Sequence, residues 1–206
     1  VGAYRRLLNL AEDYATKREA FGKPLIQQPL HQRTLKNLGH DLTGCMALTF
    51  YVVDLLGQSE VLSEGAEKER VAKLLRLLTP IVKLYTAKKN FVATTEMIEC
   101  FGGAGYIEDT RLPRWLRDAP VFSIWEGTTN VLSLDVLRAL NKDQSFELIF
   151  ETYGQWIRDL KSQGADKSVV DKASEEIKKL QNFLQSLEKS EKEEWEWYAR
   201  DLAFNL

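Results

Sequence analysis

Two long stretches, residues 29–56 and 66–100, carry apolar side chains at mixed three- and four-residue spacing, with no run of strict alternation. In the first these are Leu30, Leu35, Leu38, Leu42, Met46, Leu48, Tyr51, Val52 and Leu55. That period puts them on one face of a helix. β signals are absent, because the Val52-Val53 and Ile81-Val82 pairs are too short to alternate. Pro80 lies inside the second stretch and is expected to kink it. A helix is also expected over 3–17, where Tyr4, Leu7, Leu8, Leu10, Ala11 and Tyr14 share the period. Phe21-Gly22-Lys23-Pro24 then breaks the chain. Residues 57–65 read as a polar loop and Phe101-Gly102-Gly103-Ala104-Gly105-Tyr106 as a glycine break. Shorter helices are expected over 111–117 and 130–140. The pattern predicts an all-α chain, an up-down four-helix bundle with functional loops at the helix ends.

Composition narrows the classes. A length of 206 residues suits one good-sized domain, or one with a small appendage. A net charge of −2 gives no global electrostatic case for nucleic acid. Two histidines make a His-built metal site an unattractive reading. Cys45 and Cys100 are far apart and in no metal spacing, which suits buried thiols in a reducing intracellular compartment. No apolar run approaches the ~20 residues of a membrane span. Val1-Gly2-Ala3-Tyr4 has no initiator Met and no leader character and reads as mid-helix. The expectation is a piece of a longer protein, with any targeting signal outside it.

Composition shifts near Asn141-Lys142-Asp143. From residue 142 onward there are 10 Lys/Arg against 14 Asp/Glu, while residues 1–141 have 18 against 16. The acidic tail keeps helical period through Phe146, Ile149, Phe150, Tyr153, Trp156 and Leu160, and again through Val170, Ile177, Leu180, Leu184 and Leu187, with Gly164-Ala165-Asp166 between. A last pattern spans 188–204 and carries Trp195, Trp197 and Tyr198, read as packing or a subunit interface rather than a site. The domain reading is therefore 1–141 plus a folded helical extension, 142–206.

Three segments are chemically loaded. Glu126 follows the bulky run Val121-Phe122-Ser123-Ile124-Trp125 and precedes Gly127-Thr128-Thr129-Asn130. Apolar neighbours would desolvate its carboxylate and suit it to general-base work. The competing reading is a surface Glu at a helix start. Thr128 or Thr129 can cap the following helix. Arg18 offers a fixed fork of donors that suits a pyrophosphate; otherwise it is an exposed side chain paired with Glu19 or Glu12. The glycine run follows a helix rather than a strand, so it is not a dinucleotide-fold phosphate cradle; alone it reads equally as a helix end. Arg111, Arg114 and Arg117 make a basic face that could bind phosphates or nucleic acid, or be solvated with Arg117 paired to Asp118 or another carboxylate.

Arg18-Glu19-Ala20-Phe21-Gly22-Lys23-Pro24-Leu25, the glycine run, and Arg117-Asp118-Ala119 leading to Glu126-Gly127-Thr128 together resemble, in order and spacing, the C-terminal helical domain of acyl-CoA dehydrogenases. Glu99, the segment Ser123-Ile124-Trp125-Glu126-Gly127, Leu134-Asp135-Val136-Leu137-Arg138 and the extension resemble its AidB-type branch. The resemblance implies a fold whose N-terminal helical and middle β domains are absent here. It implies FAD between domains and subunits, an acyl-CoA substrate and an electron-transfer acceptor. It also implies a homo-oligomer, dimer or tetramer, in the mitochondrial matrix or cytoplasm.

On the same resemblance, Glu126 removes the α-proton of the acyl-CoA. Arg18 reaches FAD phosphates or ribose, Ala20 presents backbone, and Phe21 packs on the cofactor. Leu25 and Gln28 belong with these contacts, and the Pro29 that follows is shared with the AidB-type branch. Backbone at Cys100, Gly102 and Gly103 meets the adenosine half of FAD held mainly by a neighbouring subunit. Glu99 stands where ordinary dehydrogenases have Gln. Thr128 and Asn130 touch the flavin or its phosphates, Asn130 replacing the family's usual Gln. The function implied is α,β-dehydrogenation of a fatty or branched acyl-CoA. The alternatives are a non-catalytic AidB-like module that binds flavin, acyl chains or nucleic acid, and a purely structural helical domain. Residues 1–206 alone are expected to be inactive, to bind FAD weakly or not at all, and to self-associate.

Overall fold

The structure is a computed structural model that describes residues 1–143, 145–187 and 190–206. It is 85% helical. The helices are α1 (Gly2–Lys17), α2 (Pro29–Val61), α3 (Ala66–Glu99), α4 (Leu112–Asp118), α5 (Thr129–Asp143), α6 (Ser145–Ser162), α7 (Lys167–Leu187), α8 (Lys192–Trp197) and α9 (Ala199–Asn205). The all-α reading holds. Among the described residues the one sheet is a two-stranded ribbon, β1 (Glu19–Ala20) and β2 (Lys23–Pro24). This corrects the expectation of no strand. A ribbon this short needs a tight turn rather than alternating apolar residues.

Two further boundaries differ from expectation. α2 runs through Gly57 to Val61, so most of the expected polar loop is helix. Gln58 and Asp54, one turn apart, are hydrogen bonded at 2.7 Å and support that extra length. The pattern over 188–204 divides into α8 and α9 at Tyr198, and Glu188 and Lys189 lie outside the described residues. α3 is continuous helix through Pro80. Pro29 is the first residue of α2, where a missing N–H costs nothing.

The chain divides into two compact units: residues 1–51 with 82–128, and residues 52–81 with 129–206. In the first, α1 buries Tyr4, Leu7, Leu8, Ala11 and Ala15 against Leu35, Leu38 and Leu42 of α2. Ala93, Met97, Cys100 and Phe101 complete that core. The Tyr4 hydroxyl donates to the Leu38 carbonyl at 2.9 Å, and burial pushes its pKa well up. Lys89 of α3 pairs with Asp41 of α2 at 3.1 Å. In the second unit α5 packs on α6, α8 and α9, and α6 on α7. Val71, Leu74 and Leu77 of α3 and Val136, Ile149, Leu184 and Leu202 are fully buried there. Arg76 of α3 grips Asp135 of α5 through two bonds, 2.9 and 2.7 Å, which holds that carboxyl below its usual range. No described helix is long and apolar enough to cross a membrane.

Candidate functional site

The first loaded loop leaves the C-terminus of α1. Arg18 is extended at φ −83° and ψ 123°, so the helix stops there. The chain folds into the ribbon, with Glu19 opposite Pro24 and Ala20 opposite Lys23. Its two-residue tip has positive φ at both positions, 52° at Phe21 and 78° at Gly22, as a type I′ hairpin turn requires. Glycine takes that conformation freely; Phe21 does not, and its side chain is 98% exposed. The fold thus holds a large aromatic ring out in a strained turn without using it. Gln28 braces the ribbon by donating its amide N–H to the Ala20 carbonyl at 3.0 Å. Leu25 ties the ribbon back, its N–H donating to the Arg18 carbonyl at 2.8 Å while its side chain packs on the first unit's core. Arg18 is exposed and has no ion pair among the described residues, so the pairing with Glu19 or Glu12 is not formed.

The second loop ends α3. Glu99 is exposed. Cys100 is buried, and burial, with Glu96 and Glu99 nearby, pushes its thiol up to about 11. Its backbone N–H is engaged by the helix, bonding to the Glu96 and Met97 carbonyls at 3.2 Å. The three glycines that follow differ in what the fold asks of them. Gly102 adopts φ +57° and turns the chain out of the helix. A Cβ on Gly105 would meet the Ile98 carbonyl oxygen at 2.2 Å. A Cβ on exposed Gly103 would meet nothing within 4 Å, so this chain's own packing does not require glycine there. The Phe101 ring lies 5.1 Å from that of Tyr14, one turn before Arg18. The ribbon and the glycine loop therefore share one end of the first unit.

The third loop lies elsewhere. After α4 a 3-10 turn, Ala119–Ser123, leads to Glu126 at φ 53° and Gly127 at φ 106°. Lys83 of α3 donates from Nζ to the Gly127 carbonyl. Burial lowers the Lys83 pKa, opposed by the Glu126 carboxylate. Cys100 lies seventeen residues along α3 from Lys83, about 25 Å of helix. Glu126 is thus at the opposite end from Arg18 and Gly103. The structure also corrects its surroundings: Ile124 is 61% exposed, Trp125 is 56% exposed and Glu126 is exposed, so these neighbours do not desolvate the carboxylate. Thr128 is exposed just before α5, and Thr129, its first residue, is buried. Asn130 is exposed and belongs to the second unit, where Arg200 donates to its Oδ1 at 3.5 Å.

The basic face is largely neutralised. Arg117 pairs with Glu108 through two bonds rather than with Asp118, which correspondingly lowers the Glu108 pKa. Arg114 takes Asp118 at 3.2 Å. Tyr198 packs edge-on to Phe183 at 5.8 Å, whereas Trp197 is 81% exposed. No group of three or more His, Cys, Asp or Glu among the described residues could hold a metal ion.

Residues 1–141 match the family model of the acyl-CoA dehydrogenase C-terminal domain. This chain belongs to the acyl-CoA dehydrogenase family. It is 43% identical over 189 residues to acyl-CoA dehydrogenase family member 11 of Caenorhabditis elegans, covering 92% of this chain and 29% of that protein. It is 39% identical over 150 residues to the putative acyl-CoA dehydrogenase AidB of Escherichia coli, covering 72% of this chain and 26% of that protein. The structure of C. elegans ACDH-11 in complex with C11-CoA superposes with a TM-score of 0.88 at 40% identity, over 98% of this chain and 35% of that one. The chain therefore spans less than a third of the curated relatives it matches.

Proposed function

We propose that this chain is the C-terminal part of an FAD-dependent acyl-CoA dehydrogenase in which Glu126 takes the α-proton of a fatty or branched acyl-CoA. Residues 1–141 are then the dehydrogenase domain and 142–206 a helical extension. One observation carries the reading: the three loops that match the family hold out groups the fold itself leaves unused. Arg18 offers a guanidinium with no ion pair among the described residues, Phe21 an exposed ring, Gly103 open backbone and Glu126 an exposed carboxylate on a strained turn. A guanidinium fork, an aromatic face and side-chain-free backbone are what a dinucleotide with a pyrophosphate and flat rings needs.

FAD would supply the acceptor for the β-hydrogen, which leaves as hydride. The residues here do the rest. The Glu126 carboxylate takes the α-proton, and the electron pair of that C–H bond becomes the new α,β-double bond. The shelter that Ile124 and Trp125 do not give must come from bound acyl-CoA and the remaining domains, because a base gains strength against a weak carbon acid once water is expelled. The separation of about 25 Å along α3 supports two different cofactors being touched by one chain, and hence a homo-oligomer. Exposed Leu30 and Phe50 of α2 supply apolar surface for one. The full-length protein is expected to carry stoichiometric FAD and to lose its 450 nm absorbance under anaerobic acyl-CoA. A colourless protein, or flavin that no acyl-CoA bleaches, would overturn the reading.

A further inference from the structure

We propose that Lys83 is a positioning residue for Glu126: it fixes the strained turn that presents the carboxylate. The inference rests on the reading of Glu126 as the base. Glu126 and Gly127 are consecutive positive-φ residues, and only the second is glycine. Such a backbone persists only where its surroundings over-determine it. Local bonds do little of this here. Ile124 and Trp125 donate to the Val121 carbonyl, but among the described residues Glu126, Gly127 and Thr128 donate no backbone–backbone bond outside the helices. The long-range tie recorded for this turn is Lys83 Nζ to the Gly127 carbonyl, 44 residues apart in sequence.

Chemistry and placement suit Lys83 to that role. Its Cα lies inside the 34-residue helix α3, a rigid base compared with the loop it holds. Its ammonium has three N–H donors, and one goes to Gly127. A positive charge is thereby fixed one residue from the carboxylate, near enough for attraction between them. The arrangement orients the Glu126 backbone and with it the direction of the carboxylate. Of the three arginines in the segment before this loop, Arg114 and Arg117 are held by Asp118 and Glu108.

The test uses the full-length flavoprotein with Lys83→Met, Lys83→Arg, Glu126→Gln and the Lys83→Met/Glu126→Gln double variant. Flavin content, acyl-CoA affinity and the rate of flavin bleaching at saturating acyl-CoA are read together. Lys83→Met should slow bleaching by about tenfold or more, the scale of a small misplacement of a reacting group. Flavin content and affinity should stay within twofold. Lys83→Arg, which keeps charge and donors and guards against a failure to fold, should recover most of the rate. Adding Lys83→Met to Glu126→Gln should cost nothing further. Bleaching by Lys83→Met at the wild-type rate, or a further loss in the double variant, overturns the inference alone. Wild-type bleaching by Glu126→Gln overturns the base assignment and this inference with it.

Discussion

Phe21 sits at φ 52° with its side chain 98% exposed, so its contribution to stability is negative. A left-handed backbone costs a non-glycine residue roughly 1–2 kcal/mol. Almost no apolar area is buried in return. Asn tolerates this conformation far better, so Phe21→Asn should regain about 1 kcal/mol. For a chain of this length that corresponds to a rise in Tm of roughly 2–4 °C. Gly22 at φ 78° and the Gln28–Ala20 bond are untouched, so the ribbon should persist. Thermal unfolding of the 206-residue chain, followed by far-UV circular dichroism, measures the gain. The same substitution in the full-length protein should weaken FAD retention, read as the flavin-to-protein absorbance ratio after gel filtration. The two effects have opposite sign, as expected where strain is kept for a ligand rather than for the fold. A Tm that falls by 2 °C or more would refute the strain argument. A full-length variant that keeps all its flavin would refute the assignment of Phe21 to the cofactor.

Gly103→Ala should leave Tm unchanged, since nothing lies within 4 Å of the added Cβ, yet lower flavin retention in the full-length protein. Gly105→Ala should destabilise by about 1–3 kcal/mol, because its Cβ would stand 2.2 Å from the Ile98 carbonyl oxygen; equal melting of the two variants contradicts the difference between these sites. Arg76 holds the Asp135 carboxyl below its usual range, so that pair stabilises fully above the unfolded carboxylate pKa near ~4 and fades as pH falls through the lower folded value. Acid melts of Asp135→Asn should therefore start from a lower Tm at neutral pH and converge on wild type as pH falls through the folded carboxyl's lowered value; a variant that melts with wild type at every pH would show that the pair contributes nothing.

The helices were legible because each buries one apolar stripe, and Leu7, Leu8 and Ala11 or Leu35, Leu38 and Leu42 mark it in sequence. The ribbon was not, since it depends on two positive-φ residues and one of them is a phenylalanine. Arg117 has Asp118 beside it in sequence, yet it takes Glu108, which the intervening turns carry back to it. Ile124 and Trp125 are apolar, but their direction out of a short turn carries no periodic signal, and both point to solvent. The loaded loops could be named from motifs. That Arg18 and Gly103 share an end while Glu126 lies at the other is set by how α1 packs along α3. Lys83 had no sequence mark at all. It is one lysine among many, distinguished only by a carbonyl 44 residues away.

The central claim is that Glu126 accepts the α-proton. Stopped-flow bleaching of the full-length protein's flavin by a saturating acyl-CoA, compared between wild type and Glu126→Gln, tests it most directly. Glutamine keeps the size and the turn but cannot take a proton, so the variant should retain its flavin and bleach at least ~10²-fold more slowly. Bleaching at the wild-type rate by a fully flavinylated variant would contradict it.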